Sequence, residues 1–174
     1  MLMLISLPIS STTDHNGVIT YTPKPGNVFS KLVDGATDIW ESKPGLYGTL
    51  VRTMTSNGVR YLAVLLDNNM FKLFKLDDDN WKDITTKRYD VSNLKFLGES
   101  DTELTKKDYA VTLTDDMYEY KFNDGVNCRK ITYNDMPVWK HTDDPNFSEI
   151  RSLSLDLPRN KFLVMKNLTN YSTN

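Results

Sequence analysis

The chain has 174 residues, of which 39% are hydrophobic, 11% aromatic and 25% charged, a composition that supports a folded core and excludes general disorder. A formal net charge of −2 provides no overall field for a phosphate backbone, so nucleic acid is not an expected partner. The one cysteine, Cys128, excludes a disulfide-stapled scaffold and a cysteine-rich zinc module.

The N-terminal stretch Met1–Ser10 is apolar but far shorter than the roughly 20 residues that cross a bilayer. Small polar residues follow it, as they follow the apolar region of a signal peptide, yet no lysine or arginine precedes it. The stretch is therefore a signal remnant, the start of a fragment, or a first strand. With a signal remnant, the protein is expected to be secreted.

Apolar and polar residues alternate at a period of two in many short segments, which predicts an all-β fold of antiparallel hairpins. Turn-forming pairs such as Asp34-Gly35 and Asn57-Gly58 separate the segments, and these residue types tolerate the positive φ that tight hairpin turns need. The strands predicted in the first half are Val18–Tyr21, Phe29–Val33, Asp38–Trp40, Leu46–Thr53, Tyr61–Leu66, Phe71–Leu76 and Trp81–Ile84.

The middle of the chain, from Thr85 to Lys107, is the least regular part. It contains the Ser100-x-x-Glu103 spacing of a capping box. The segment is either one short helix or a polar loop, because no apolar period of about 3.6 follows the capping box. The strands predicted after it are Tyr109–Leu113, Met117–Phe122, Cys128–Tyr133, Val138–Lys140, Ile150–Leu155 and Phe162–Met165.

The two halves resemble each other when the chain is shifted by 99 positions, which predicts two similar β modules. We expect the tryptophan of each module to pack in a core, and the glycine of each to supply a turn conformation. The aligned pairs are Tyr21 and Tyr120, Gly26 and Gly125, Lys31 and Lys130, Leu32 and Ile131, Ile39 and Val138, and Trp40 and Trp139.

Further along, a shift of 91 places Asn69-Met70-Phe71 on Asn160-Lys161-Phe162. We therefore predict a first module at residues 14–84, an irregular connecting segment at 85–108 and a second, shorter module at 109–170. The connecting segment is either a linker or part of the second module. No counterpart of the Trp81–Ile84 strand follows Met165, so we expect either loss of that strand or a fragment of a longer array.

Five segments of the first half form a recognisable pattern, namely Tyr21–Gly26, Phe29–Gly35, Ile39–Glu41, Asn69–Lys75 and Trp81–Ile84. Together they resemble the FAINT domain, the module frequently associated in Theileria that occurs in the SfiI-subtelomeric family, the secreted schizont proteins and a rhoptry antigen. The resemblance covers Val18–Ile84 well and Tyr118–Met165 less closely, since Val138-Trp139-Lys140-His141 departs from the usual Ile-Trp-Glu. It implies a protein of an intracellular apicomplexan parasite that is secreted, exported into the infected host cell and involved in host manipulation.

Histidine and cysteine are scarce, and their positions do not point to a reactive site. His15 lies in a polar stretch and His141 follows Trp139 at a strand end, each without a second histidine or cysteine at metal-ligand spacing. Cys128 aligns with Phe29 and is predicted to be a small buried hydrophobic residue. We predict no catalytic, cofactor-binding or metal-binding residue, no cofactor and no enzymatic activity.

Several charged or polar clusters invite a functional interpretation but fit a surface role better. The acidic run Asp77–Asp79 with Asp83 lacks the glycine and glutamate of a calcium-binding EF-hand loop, so a hairpin turn is predicted, and Asp143-Asp144-Pro145 is predicted to be a turn as well. A basic patch interleaved with aromatic residues is expected to be a solvated strand face; it comprises Lys72, Lys75, Lys82, Lys87 and Arg88. Glycosylation acceptors in a secretory lumen would be Asn146, Asn167 and Asn170.

Three functions follow as hypotheses. The first is an exported module that binds a host or parasite protein through strand edges and loops. The alternative is a structural spacer of a longer tandem-repeat secreted protein, and the third is an enzyme that acts through Cys128 or His141. Burial of both Trp40 and Trp139 at equivalent positions favours the first, whereas a cleft lined by Trp139, Cys128 and His141 favours a ligand site or an enzyme.

Overall fold

The protein is described by a computed structural model at residues 2–5, 9–13, 17–143 and 149–166. It is 59% strand and 6% helical, and none of the helical turns in the described part reaches seven residues. All the sheets are built from antiparallel pairs. The predicted all-β fold is confirmed.

The strands and short 3₁₀ turns are as follows in chain order. The strands of the first half are β1 Leu2–Ile5, β2 Ile9–Thr13, β3 Ile19–Pro23, β4 Lys31–Asp34, β5 Thr37–Glu41, β6 Gly48–Ser56, β7 Val59–Leu66, β8 Phe71–Asp77 and β9 Asn80–Asp83. The strands of the second half are β10 Leu94–Leu97, β11 Tyr109–Thr114, β12 Met117–Phe122, β13 Lys130–Tyr133, β14 Met136–Lys140, β15 Ile150–Asp156 and β16 Lys161–Lys166. The 3₁₀ turns are Thr85–Lys87, Val91–Asn93 and Glu99–Asp101.

Every strand predicted from alternation has a counterpart, with ends that differ by a few residues. The predicted turns form for the expected reason, since Asn57 (φ 51°) and Gly58 (φ 76°) both have positive φ, as do Asn134 and Asp135. Two strands, β2 and β10, were not predicted, and β1 corresponds to the first strand that was one of the alternatives for Met1–Ser10. As a result, strands lie ahead of residue 14 and inside the segment 85–108.

The capping box does not start a helix. Ser100 has a left-handed backbone (φ 54°), and the 3₁₀ turn Glu99–Asp101 ends at an extended Thr102. Glu103 instead pairs with Leu97 in an isolated bridge. Of the two alternatives for this segment, the structure has the loop, preceded by β10.

Unit 1 consists of Met1–Tyr89, Leu113–Asp116 and Leu157–Arg159. Its sheets have the orders β1-β4-β5 and β2-β3-β6-β7-β8-β9. Trp40 and Trp81 pack against its core cluster, as expected for large apolar rings. The cluster comprises Phe29, Leu32, Val51, Leu62, Val64, Leu66 and Phe74.

Unit 2 consists of Asp90–Thr112, Met117–Asp156 and Asn160–Asn174. Its sheets have the orders β10-β13-β14 and β11-β12-β15-β16. Its core contains stacked aromatic rings in edge-to-face contact, including Phe96 and Tyr120 at 4.9 Å and Tyr118 and Tyr120 at 5.2 Å between centroids. Tyr118, Tyr120 and Phe122 share one face of β12, as alternation requires.

The same strand order occurs in both units, with β1-β4-β5 repeated as β10-β13-β14 and β2-β3-β6-β7 repeated as β11-β12-β15-β16. Even a β-bulge recurs at positions 99 apart, between Leu32 and Val33 and between Ile131 and Thr132. The shift of 91 does not follow this topology, because β16 is the hairpin partner of β15 and so corresponds to β7, not to β8. Within the described residues, β8 and β9 have no counterpart in unit 2.

Candidate functional site

The most exposed apolar side chains of the described residues lie on β14. Met136 is 68% exposed and Val138 is 60% exposed. Among the described strands, β14 is the last of its sheet and pairs with β13 alone. At the equivalent positions, unit 1 has the polar Thr37 and the half-buried Ile39. Neighbouring exposed apolar groups on a strand edge are typical of an interaction surface.

Pro137 lies between these two side chains in β14. Proline has no backbone N–H to donate to a further strand, and prolines on edge strands protect sheets from uncontrolled pairing. A partner at this edge would therefore contact the side chains of Met136 and Val138 more than it would extend the sheet.

A cleft of about 540 Å³ opens where β14 ends. It is lined by residues 98–101, 129–130 and 140–142. Two ion pairs hold its wall, from Arg129 Nε to Glu99 Oε1 at 2.7 Å and from Lys130 Nζ to Asp101 Oδ1 at 2.7 Å. The side chains of Arg129 and Lys130 are only 25% and 23% exposed, whereas their carboxylate partners are 72% and 68% exposed. All four side chains line the cleft, and the two acids are the more exposed partners.

Two further basic side chains complete this cleft. Lys140 is exposed at the end of β14, and its ammonium group has no ion pair with any residue that the structure describes. His141 Nδ1 lies 3.2 Å from the carbonyl oxygen of Arg129. Because a carbonyl can only accept a hydrogen bond, Nδ1 carries the hydrogen and the ring is held in one orientation.

Unit 1 has the same backbone at this place but different charges. The hydrogen bond from His141 N to Arg129 O (2.8 Å) recurs from Ser42 N to Ser30 O (2.7 Å). A shift of 99 places Ser30, Lys31, Glu41 and Ser42 at the positions of Arg129, Lys130, Lys140 and His141. The same hairpin backbone therefore presents a basic cluster in unit 2 and a surface of mixed polar residues in unit 1.

Cys128 does not join His141 at this cleft. Its side chain is buried, and burial raises the pKa of the thiol to about 12. The Sγ atom lies 3.5 Å from the carbonyl oxygen of Lys130. A thiol with this pKa is protonated at neutral pH and is not a nucleophile. Of the three residues whose convergence would have indicated a reactive site, only His141 lines the cleft, and Trp139 is half-buried opposite Ile131.

In unit 1, an aromatic groove of about 440 Å³ is lined by Tyr21, Tyr61 and Trp81 among others. Trp81 Nε1 donates a hydrogen bond to Asp34 Oδ2 at 3.0 Å, and this bond holds the pKa of the Asp34 carboxyl below its usual value. The Arg60 guanidinium lies over the Trp81 ring at 5.7 Å and 3.9 Å from Asp34. The two charged groups of the groove, Asp34 and Arg60, thus contact each other and Trp81, which favours a structural role for Trp81.

The charged clusters singled out in the sequence form surface contacts. Asp78 and Asp79 have positive φ in the turn between β8 and β9, as predicted for a hairpin turn. Lys82 pairs with Asp77 at 2.6 Å, and Lys72 pairs with Asp83 at 3.3 Å. Lys72 and Lys82 therefore lie among acids on strands, as expected for a solvated strand face. The prediction is wrong for Lys87, which lies in the 3₁₀ turn Thr85–Lys87, and for Arg88, whose guanidinium donates hydrogen bonds to the carbonyl oxygens of Leu157 and Pro158.

The remaining predictions concern turns and residues outside the described part. Gly26 (φ 84°) and Gly125 (φ 81°) supply left-handed turn conformations, as predicted. Asp143 caps a turn by accepting a hydrogen bond from Lys140 N at 3.1 Å. Five predictions lie outside the described residues, namely those for His15, for Asp144-Pro145 and for the sequons at Asn146, Asn167 and Asn170.

Two general searches of the described residues gave negative results. No three histidine, cysteine, aspartate or glutamate side chains there converge as a metal-binding group. No helix there has the length and apolar character needed to cross a membrane.

Comparison with known proteins gave one match. The family model FAINT, described as a domain of unknown function (DUF529), matches residues 5–71 and 73–172. No curated protein and no solved structure matches the chain significantly.

Proposed function

The chain belongs to the FAINT family, a domain of unknown function, and from that premise we propose that it is a non-enzymatic module that binds another protein through β14 of unit 2. The observation that carries the proposal is the pair Met136 and Val138, which are 68% and 60% exposed on one edge strand. Exposed apolar side chains of this kind are common at protein interfaces and cost solubility elsewhere.

The expected partner is an apolar protein segment with acidic residues at one end. Its apolar part would cover Met136 and Val138. Its acidic end would face the ammonium group of Lys140, which has no ion pair among the described residues, whereas Arg129 and Lys130 are paired with Glu99 and Asp101. The carboxylate of Asp143 lies close by and accepts a hydrogen bond from Lys140 N. Complementary charge of this kind sets the orientation of a bound segment.

The non-enzymatic part of the proposal is supported by the state of the one thiol. Cys128 is buried with a raised pKa, and His141 is oriented by a backbone carbonyl without a nucleophile beside it. A covalent enzyme that acts through Cys128 and His141 would need the thiol and the imidazole within hydrogen-bond reach of each other.

The proposal is tested by affinity capture from host-cell and parasite lysates with two variants of the full chain. Met136→Thr with Val138→Thr makes β14 polar while keeping strand-forming residues. The matched control, Val28→Thr with Met165→Thr, removes two other exposed apolar groups that are 39% and 53% exposed.

The proposal predicts a partner that binds saturably to the wild type and to the control with equal affinity. Its affinity for the β14 variant should be about tenfold lower or weaker still, because that variant has lost the apolar anchors of the interface. The bound segment of that partner should contain apolar residues followed by acidic ones. Equal binding by all three proteins, or a partner segment without acidic residues, would contradict the proposal.

We propose further that the protein is secreted and acts in the infected host cell, as the resemblance to secreted parasite proteins implies. An antibody against the folded chain should then stain the host compartment of infected cells. Staining confined to the interior of the parasite would reject this part without affecting the binding proposal.

A spacer role in a longer array is the second candidate, favoured by the strand order that recurs in both units. Modules that repeat in one chain commonly stack into extended arrays. The reading frame around the coding sequence decides this, because an array predicts further copies of the same pattern upstream or downstream. A frame that contains only these two copies would exclude it.

A further inference from the structure

We propose that the cleft of unit 2 is a binding site for a phosphomonoester group. The inference goes beyond the proposed function, because it assigns a ligand to the cleft itself and holds whether or not a protein docks on β14. Its ligand class follows from the charge and the geometry of four side chains, Arg129, Lys130, Lys140 and His141.

The first argument is convergence. These side chains come from two strand ends, residues 129–130 before and at the start of β13 and residues 140–141 at the end of β14, yet they line one cleft of about 540 Å³. Arg129 and Lys130 are about three-quarters buried, so their positions are fixed by packing. Fixed cations around a concave surface are the usual means of binding an oxyanion.

The second argument is the internal comparison. Unit 1 builds the same hairpin, with the same bulge and the same closing hydrogen bond, but has Ser30, Glu41 and Ser42 where unit 2 has Arg129, Lys140 and His141. The fold therefore does not need these cations. Their presence in one copy alone indicates a role that the fold does not explain.

The third argument selects phosphate over carboxylate. Arg129 and Lys130 each already contact one carboxylate, Glu99 and Asp101, on the exposed loop. The Asp143 carboxylate also lies beside Lys140 and accepts a hydrogen bond from its backbone N–H, so a ligand must compete with three carboxylates of this chain. A phosphomonoester carries about −1.5 to −2 charges and three strong acceptor oxygens, whereas one carboxylate carries a single charge, so the phosphate gains more from Arg129, Lys130 and Lys140 together.

Glu99 and Asp101 should therefore weaken ligand binding, because they pair with Arg129 and Lys130 until the ligand displaces them. Replacing Glu99 and Asp101 by their amides should tighten phosphate binding about two- to fivefold, the range expected for exposed ion pairs. The matched control is Asp78→Asn with Asp79→Asn, which changes the net charge equally but lies in the turn between β8 and β9 of unit 1.

The experiment is a titration of the isotopically labelled full chain with O-phosphoserine and with inorganic phosphate, followed by NMR at constant ionic strength. Serine and acetate serve as ligand controls. We expect saturable shifts of the amide signals of residues 98–101 and 140–142 with both phosphates. If only O-phosphoserine binds, the phosphate is recognised as part of a larger side chain, and if both bind equally, as the free group; both outcomes support the site.

Variants separate this site from general charge attraction. Lys140→Glu, on an exposed edge, should weaken phosphate binding about tenfold or more, since it removes one charge-assisted contact and adds a repulsive charge. Lys82→Glu makes the same change on the edge strand β9 of unit 1 and should have no effect. A triple variant installs the unit 1 residues at this cleft, namely Arg129→Ser, Lys140→Glu and His141→Ser. It should not bind phosphate, although its NMR spectrum should show that the chain is folded.

The inference is overturned if shifts are linear with concentration, if acetate produces the same saturable shifts, or if Lys82→Glu weakens binding as much as Lys140→Glu. A failure of partner capture at β14 has no bearing on this titration, because the titration uses small ligands and no partner protein.

Discussion

Replacing Gly48 by alanine is expected to destabilise unit 1 because the position has no room for a methyl group. A Cβ atom there would lie 3.0 Å from Val64 Cγ1 and 3.1 Å from Phe29 Cβ. Both neighbours are fully buried in the core cluster, and Phe29 exchanges two backbone hydrogen bonds with Gly48, at 2.8 and 2.9 Å. Neither the strand nor the ring can therefore move away freely.

The magnitude follows from two opposing contributions. Overpacking a filled core by one methyl group costs about 1–3 kcal/mol, while removing glycine from the unfolded chain offsets about 0.4–1 kcal/mol. The expected net loss in the free energy of unfolding is about 1.3 kcal/mol at the midpoints of these two ranges, and their limits are about 0 and 2.6 kcal/mol. Unit 2 has a large and a small residue at the opposite positions. The alignment places the small Cys128 at the position of Phe29, and the strand register at the bulge places the large Ile150 at the position of Gly48.

The assay is urea unfolding followed by tryptophan fluorescence and circular dichroism, with Val64→Ala as a second background. Val64→Ala alone opens a cavity and should cost about 0.5–3 kcal/mol. In that background the added methyl group has space, so Gly48→Ala should cost less than it does in the wild type, with a coupling of about 0.5 kcal/mol or more. A gain in stability by the single variant, or an equal effect of Gly48→Ala in both backgrounds, would refute the packing argument.

Three further outcomes concern the core of unit 2. The hydroxyls of Tyr118 and Tyr120 form a buried hydrogen bond of 3.2 Å, so either single change to phenylalanine should cost about 1–3 kcal/mol in urea unfolding, and the double change should cost clearly less than the sum; additive losses would contradict this. Burial raises the pKa of Tyr120 from 10.0 to about 12, and the unfolded chain loses this proton first as the pH rises, so Tyr120 alone should lower the stability by about 1.4 kcal/mol per unit between pH 10 and 12. The loss of stability with pH should therefore be shallower in Tyr120→Phe than in the wild type; identical profiles would be the opposite result. Cys128, with a pKa of about 12, should resist a thiol reagent at pH 8 until the chain is unfolded; rapid labelling of the folded protein would show that the thiol is accessible.

Much of the fold could be predicted because local chemistry and tertiary structure agree. Asn57-Gly58 and Asn134-Asp135 specify their hairpins through positive φ, and alternation specifies which side chains face the core. β2 escaped prediction because its residues Ile9–Thr13 are mostly exposed and lack an apolar face. β10 was not predicted because Leu94–Leu97 is short and forms a strand only through its pairing with β13. No local sequence pattern shows that pairing.

The candidate site was predicted less completely than the fold. The departure of Val138-Trp139-Lys140-His141 from the family pattern was the one signal in the sequence, and two of those residues lie at the cleft. Arg129 and the loop acid Glu99 could not be linked to them, because they are far apart in the chain and meet only through the pairing of β13 with β14 and the loop after β10. The exposure of Met136 follows from the position of β14 at a sheet edge, and strand order is not readable from alternation alone.

The most direct test of the account is hydrogen exchange, measured by mass spectrometry, on the full chain with and without its captured partner. The account predicts slower exchange in residues 136–142 of unit 2 and unchanged exchange in residues 37–42, the same hairpin of unit 1. Slower exchange in residues 37–42, or unchanged exchange along β14 when the partner is saturating, would contradict the claim that unit 2 carries the binding surface.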